Sequence, residues 1–283
     1  MPRRVRSRLR ALPLQICALI LLALIPGSAL AQLSDALWTE SVSIQANLEF
    51  GGQTGSDNSK PENIAGTLDG ADYVATGSVH YTPSLVPAVT CQASTNYQSG
   101  ALDILTVDTF ASVIWEFVVV ESASGGPSVS SVTINVLAEG SAAVTADAAT
   151  LAAANARFEI RYLNTGVAVV YEDIVANNVG GGTPLSDSFA VSNSFALPIG
   201  EVFRAMIMTG ASSRASFDQG AAVGSGTGYV DPVIEVADEL IPGSSESYRD
   251  YYQVEFSQGY DTGVTTPVRS NASMGRLKSM FVD

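Results

Sequence analysis

The chain has 283 residues, of which 46% are hydrophobic and 15% charged, and its 14 basic and 28 acidic residues give a formal net charge of −14 at pH 7. A chain this acidic repels phosphate backbones and anionic lipids, which argues against nucleic-acid binding and against peripheral membrane binding. The sequence contains one histidine, so most zinc hydrolases, which need two or more imidazole ligands, are also excluded.

The first 31 residues have the pattern of a secretory signal peptide. Five arginines from Arg3 to Arg10 precede an apolar run, residues 11–25, and small residues lead to Ala31. A basic start, a short apolar core and a small-residue exit indicate a signal cleaved after Ala31, and the core is too short for a good membrane-spanning helix. We therefore expect a mature protein that begins at Gln32 and is secreted or periplasmic. Removal of the five arginines leaves nine basic residues against 28 acidic ones, a formal charge of −19.

The rest of the chain is dominated by short runs of Val, Ile, Thr, Phe and Tyr separated by Gly, Ser, Asn and Asp, which is typical of strands and turns. Runs that alternate polar and apolar residues, and so predict one exposed face, are 41–50, 76–82, 89–93, 131–136, 156–162 and 251–256. In the run 156–162, Phe158 and Ile160 are predicted to face inward and Glu159 outward. Residues 114–120 and 167–170 are more continuously apolar, which predicts strands covered on both faces or near the sandwich centre.

These runs predict an all-β fold, a single large antiparallel two-sheet sandwich of jelly-roll-like or immunoglobulin-like type, over residues 32–283. No shift in composition marks a domain boundary. Ala142–Ala156 is interpreted as a strand that turns into the strand of Phe158, with a short surface helix as the alternative. The small residues of 210–217 indicate either close contact between sheets or a strand facing solvent. Gly224–Gly228 lacks the lysine and following helix of a phosphate-binding loop, so we predict a flexible turn there.

Few residues are candidates for nucleophilic chemistry. His80 shares a strand face with Ser78 and Thr82, so we expect it to lie on the polar surface without a catalytic role. Cys17 leaves with the signal peptide, so Cys91 has no intramolecular disulfide partner. We predict that Cys91 is buried, with intermolecular pairing as the alternative. Of the two tryptophans, one lies in an apolar run and is expected in the core, whereas the other, at position 38, is expected to be loose near the mature N-terminus.

Acidic clusters suggest one metal site. Four carboxylates fall within nine residues, at Asp231, Glu235, Asp238 and Glu239. A second group of oxygen ligands, in an early loop, comprises Asp57, Asn58, Glu62 and Asn63. Because calcium prefers hard oxygen ligands from loops, we predict calcium at the first cluster and no other cofactor. Solvated acidic turns are the alternative explanation of both clusters.

The distal region carries a family resemblance. The run 226–236 includes Val-Asp-Pro at 230–232, the run 251–259 ends in Ser-Gln-Gly, and a small-residue tract, 212–222, precedes both. This order resembles the distal region of exported bacterial proteins of the PEP-CTERM class. The resemblance covers about the last third of the chain and omits the sorting segment of that class, a Pro-Glu-Pro motif followed by a membrane helix and a basic tail. It implies an exported β protein.

Three classes of function remain open. We expect a non-catalytic protein of the cell envelope or extracellular matrix, structural, adhesive or glycan-binding, and stabilised by calcium in one version. Its expected partners are an extracellular glycan or further copies of the chain, joined by strand addition at an exposed edge. One alternative is a carboxylate-dependent glycan-active enzyme, for which the sequence selects no catalytic pair. The other is an outer-membrane β-barrel.

Overall fold

Alternation of polar and apolar residues becomes β-structure along most of the chain. The computed structural model describes residues 33–46, 49–51, 63–82, 87–98, 104–122, 126–179, 183–216 and 221–257. The predicted signal peptide, and Asp57, Asn58 and Glu62 of the early acidic loop, lie outside these residues. The strands are β1 (Leu37–Ala46), β2 (Glu49–Gly51), β3 (Ile64–Gly70), β4 (Tyr73–Thr82), β5 (Ala88–Tyr97), β6 (Ile104–Glu121), β7 (Ser131–Ala146), β8 (Thr150–Tyr162), β9 (Ala168–Val179), β10 (Leu185–Pro198), β11 (Val202–Ser216), β12 (Ala222–Val236) and β13 (Tyr252–Phe256).

The strands form two antiparallel sheets packed face to face, which confirms the predicted all-β sandwich. Sheet 1 has the order β2-β1-β6-β11-β8-β9, with β13 pairing along the remaining part of β6, and sheet 2 has the order β10-β7-β12-β5-β4-β3. From β5 onward, each new strand lies in the opposite sheet, except for the β8–β9 hairpin. A 3-10 helix at Tyr248–Asp250 precedes β13. No helix in the described ranges has the length and apolar character needed to cross a bilayer.

Large aromatic side chains fill one end of the space between the sheets. Trp115 is 1% exposed, as predicted, and the ring of Phe117 stacks on that of Phe203 with centroids 5.4 Å apart. The prediction for Trp38 was wrong. Its side chain is fully buried and meets the ring of Tyr81 edge-on, with centroids 5.2 Å apart. The indole therefore anchors β1 in the core.

Near the middle of the sandwich, glycines rather than aromatic residues occupy the inner face of a strand. Gly224, Gly226 and Gly228 lie on the inner face of β12, so the prediction of a flexible turn there was wrong. A Cβ atom on Gly228 would lie 2.5 Å from the backbone oxygen of Asn155, and one on Gly226 would lie 2.7 Å from that of Ala153. Only a hydrogen in place of the side chain lets β12 approach the opposite sheet this closely. Of the two explanations offered for the small residues of β11, close contact between sheets is the one observed.

Several local predictions can be compared directly with the strands. The Ala-rich segment is a strand, a turn at residues 147–149 and a second strand, as expected. Residues 115–120 are buried on both faces, as predicted. In the run 167–170, residues 168–170 do form the start of β9, but the expectation of cover on both faces was wrong, because Val167 is 60% exposed and Val170 is the one buried residue of the run. Glu159 does face outward, but Arg161 contacts it and it is 2% exposed, so that position is not solvated as predicted.

Candidate functional site

The four predicted calcium ligands lie along one strand and the segment after it. Asp231 and Glu235 share the outer face of β12, and four residues of strand separate their Cα atoms by about 13 Å. Each carboxylate has its own partner: Tyr229 donates to Asp231 at 3.0 Å, and the Arg249 guanidinium is 3.0 Å from Glu235.

The last two predicted ligands lie beyond the end of β12. Glu239 accepts a hydrogen bond of 2.7 Å from the Thr133 hydroxyl, and Asp238 is exposed. The part of the chain described by the structure contains no group of three or more His, Cys, Asp or Glu side chains arranged to hold a metal. As placed, the four carboxylates do not form one ligand set, and calcium binding stays a prediction. Asn63 of the early loop accepts a hydrogen bond of 2.7 Å from the backbone N–H of Tyr81.

The residues considered for nucleophilic chemistry have the positions predicted for them. His80 is exposed on the outer face of sheet 2, on the same side of β4 as Ser78 and Thr82. Cys91 is fully buried, and its thiol donates to the backbone oxygen of Thr209 at 3.4 Å. Burial raises the pKa of the Cys91 thiol to about 12, so the nucleophilic thiolate is not populated at neutral pH. The thiol therefore has a packing role in this structure.

A buried acid was missed by the sequence reasoning. Glu40 points between the sheets with no exposed surface, and the Tyr81 hydroxyl makes a long hydrogen bond of 3.5 Å to it. The pKa of the Tyr81 phenol is raised, mainly by burial and to a lesser extent by the charge of Glu40. The signal was available, because the alternation that places Val42 inward extends back through position 40. An acid in the apolar phase of such a run indicates a buried carboxylate.

A second buried acid joins the two ends of the described chain. Glu116, on the outer face of β6, is 4% exposed. One carboxylate oxygen accepts from the backbone N–H of Ser34 at 2.8 Å, and the other accepts from the Arg204 guanidinium at 3.0 Å. Its backbone N–H donates to the Ser257 hydroxyl at 2.7 Å. Burial alone would raise the pKa of Glu116, but the hydrogen bonds from Ser34 and Arg204 outweigh it and hold the pKa below its ordinary value.

The outer face of sheet 1 carries most of the positive charge of the described residues. These residues include five arginines and no lysine, and four of the arginines lie on this face. Each of the four has a carboxylate neighbour: Arg157 with Asp173, Arg161 with Glu159, Arg204 with Glu116, and Arg214 with Asp108. Each positive charge on this face is therefore offset by a nearby carboxylate, in a protein that is acidic overall.

The outer face of sheet 2 is lined by hydroxyl groups. A shallow groove of about 330 Å³ crosses β3, β4, β5 and β12. Along its rows, the Thr76 and Ser94 hydroxyls are 2.7 Å apart, and those of Thr145 and Ser225, beside the groove, are also 2.7 Å apart. Because these hydroxyls already bond to one another across neighbouring strands, part of their capacity to bind a ligand is used within the sheet.

Fold and sites together define an antiparallel two-sheet sandwich protein, and comparisons with known proteins add no family. No family model and no curated protein matches the chain. Among solved structures, a chain of infectious bursal disease virus Gx strain aligns with 80% of this chain at 10% identity and a TM-score of 0.23, and one of the Gt strain aligns with 86% at 10% identity and 0.22. The alignments span 60% and 82% of those viral chains. Similarity at TM-scores this low carries no argument about function.

Proposed function

We propose that the protein is an exported, non-catalytic structural protein of the cell envelope or extracellular matrix that associates with copies of itself by strand addition at β10. The observation that carries the proposal is that β10, at the edge of sheet 2, is long and regularly paired on one side and has no described strand along its other side. An edge strand presents unpaired backbone N–H and C=O groups, which pair with another strand unless shortness, charge, irregularity or a covering segment prevents it.

The other three outermost strands of the two sheets each show such protection. β2 has three residues, and β3 has seven residues that include Asp69. β9 carries the adjacent acids Glu172 and Asp173, and its pairing with β8 is broken by a register shift. A new strand would therefore find little backbone to pair with at β2 or β3, and charge and irregularity at β9.

β10 is the least protected of the four edge strands in the described part of the chain. Its 14 residues pair with β7 in unbroken register from Leu185 to Pro198. Asp187 is its one charged residue, and its outward-facing side chains before the final proline are all serine or alanine. No described strand pairs with its other edge. A long, regular edge strand with one charge and with small outward-facing side chains allows a second strand to approach closely.

The partner that fits this edge is the β10 of a second copy. Two identical strands paired antiparallel about a twofold axis form a closed, isologous contact. Overlap of residues 185–197 about Val191, which keeps side chains of the same face opposite each other, would place each Asp187 opposite Phe195 of the other copy, so the two carboxylates would not meet. Copies of a chain with a formal charge of −14 repel each other over most of their surfaces. The edge of β10, with one charged residue in 14, is a place where that repulsion is small.

Light scattering coupled to size exclusion, on protein made from the full chain, tests the proposal. We expect a mass that rises with concentration toward a dimer. Ala190→Lys, which puts a charge on the exposed face of β10, should restore the monomer. Ala65→Lys is the matched control, because Ala65 is equally an exposed alanine on an edge strand of the same sheet, at β3. A wild-type monomer at every concentration, or equal disruption by both lysines, would overturn the proposal.

The remaining parts of the proposal rest on separate support. The pattern of residues 1–31 supports export, and N-terminal sequencing of the periplasmic or secreted protein should start at Gln32. An intact N-terminus in the cytoplasm would contradict export. The exposed position of His80 and the buried thiol of Cys91 support a non-catalytic role. A carboxylate-dependent glycan-active enzyme is the alternative, and release of reducing sugar from polysaccharides would support it.

A further inference from the structure

A concave site lies on the outer face of sheet 1, away from β10. In the register of the sheet, Gly210 of β11 lies between Phe110 of β6 and Asn155 of β8. Because Gly210 has no side chain, this row of the sheet has a gap in its middle. The gap is the floor of a groove of about 240 Å³. Its volume approaches the lower end of the range for small-molecule sites, about 300–1,000 Å³.

The walls of this groove combine apolar and polar groups. Phe110 and Val175 supply apolar surface from opposite sides, and Val175 is 61% exposed. The amide of Asn155 borders the floor directly, because a methyl group on Gly210 would lie 2.8 Å from its Oδ1 atom. The Phe110 ring is the next side chain, at 3.9 Å from the same point.

Two further polar side chains lie one row along the strands. Asp108 and Ser212 face each other across β6 and β11 and also line the groove. Asp108 and Asn155 are two strands apart, about 10 Å across the sheet, and one row, about 7 Å, along it. A carboxylate, a hydroxyl and an amide thus line the groove around a floor of backbone, beside an aromatic ring. Partial desolvation of Asp108 raises the pKa of its carboxyl, and the charge of Arg214 opposes this shift.

We propose that the groove over Gly210 binds one sugar residue of a neutral glycan. A sugar ring has an apolar C–H face, which would pack on the Phe110 ring, and hydroxyls, which would bond to Asn155 in the same row and to Asp108 and Ser212 in the next row. Balanced charge favours a neutral ligand, since each of the four arginines on this face already has a carboxylate neighbour. A few placed polar groups among apolar walls are the usual composition of a small-molecule site.

An array of neutral hexose and N-acetylhexosamine oligosaccharides, probed with labelled protein from the full chain, is the first test, and calorimetry on the strongest binder follows. We expect binding to at least one neutral oligosaccharide. Asp108→Ala and Phe110→Ala should each weaken it at least tenfold, the change expected from loss of about 1.4 kcal/mol. Ser212→Ala should weaken it too, whereas Ser43→Ala should not. Ser43 is the matched control because it flanks Asp108 on the side away from the groove.

The outcomes separate this proposal from self-association. The Ala190→Lys protein, monomeric or not, keeps the groove, so it should bind the same oligosaccharide with the same affinity per site. Melting curves identify any variant that fails to fold. If Asp108→Ala or Phe110→Ala does not fold, Ser212→Ala, the smallest of the three changes, decides whether the groove is the binding site. The proposal is overturned if no neutral oligosaccharide binds, if only charged glycans or peptides bind, or if Ser43→Ala weakens binding as much as Ser212→Ala.

Discussion

Replacing Glu116 by glutamine should destabilise the sandwich in a way that depends on pH. The carboxylate accepts from the Ser34 backbone N–H on one oxygen and from Arg204 on the other, so an amide in its place turns one of its own N–H groups toward a donor. The first bond is partly buried and charge-assisted, and such bonds contribute about 1.5–3 kcal/mol. Arg204 is 46% exposed, so solvent screening limits its pair to about 1 kcal/mol or less.

These terms predict a loss of about 3 kcal/mol for Glu116→Gln at pH 7. For a domain of this size the melting temperature should fall by roughly 6–12 °C. Urea denaturation followed by tryptophan fluorescence measures the free energy of unfolding, because Trp38 and Trp115 are both buried. Glu121→Gln is the matched control, since Glu121 lies on the same strand and is exposed. It should change the stability by no more than about 0.5 kcal/mol.

The sign of the pH dependence follows from the pKa of Glu116, which is lowered in the folded state from its ordinary value of 4.5. Such a group stabilises the fold above its unfolded pKa, and the contribution is lost as the pH falls through the folded pKa. The stability difference between wild type and Glu116→Gln should therefore be full at pH 7 and shrink below pH 4.5. A difference that is absent at pH 7, or that persists unchanged in acid, would refute the reasoning.

Three further predictions concern other parts of the molecule. Gly228→Ala should lower the free energy of unfolding by about 1–3 kcal/mol, because its Cβ would lie 2.5 Å from the Asn155 backbone oxygen. Thr227→Ala, on the outer face of the same strand, should lower it much less. Equal losses for the two variants in urea denaturation would contradict this. Cys91 should resist iodoacetamide at pH 8 in the native protein and react in urea, as read by the mass of its peptide, and rapid native labelling would contradict its burial. If Asp231 and its neighbours bind calcium, EDTA should lower the melting temperature of the wild type and leave that of Asp231→Asn unchanged. A wild-type melting temperature that EDTA does not change would count against calcium binding.

Strands were predictable because their signal is local. The alternation of residues 131–136 and 156–162 depends on the two-residue repeat of a strand and needs no knowledge of the partner strand. The same repeat, followed back from Val42, would have placed Trp38 and Glu40 inside, and only the proximity of the predicted cleavage site suggested otherwise. The confirmed burial of Cys91 and exposure of His80 have the same origin.

Features that depend on two distant segments could not be predicted in this way. The glycines of β12 have the composition of a turn, and only the nearby backbone of β8 explains why a strand contains them. Asp231 and Glu235 are close in sequence, but an extended strand holds them about 13 Å apart. The groove over Gly210 needs the register of three strands, and the least protected edge, at β10, needs the order of strands in both sheets.

The positions of the two proposed surfaces give them a shared consequence. Pairing at β10 extends sheet 2, whereas the groove over Gly210 lies on the outer face of sheet 1, so association would leave the groove of each copy open. A dimer would then present two sugar sites on one body, and simultaneous engagement can exceed the single-site affinity by about 10²–10⁴-fold. Weak binding at one groove would become firm attachment to a repetitive glycan. The Ala190→Lys protein should accordingly keep its calorimetric affinity for a single short oligosaccharide and lose retention on a surface densely coated with it. Equal retention of the wild type and the Ala190→Lys protein on that surface would show that β10 and the groove act independently.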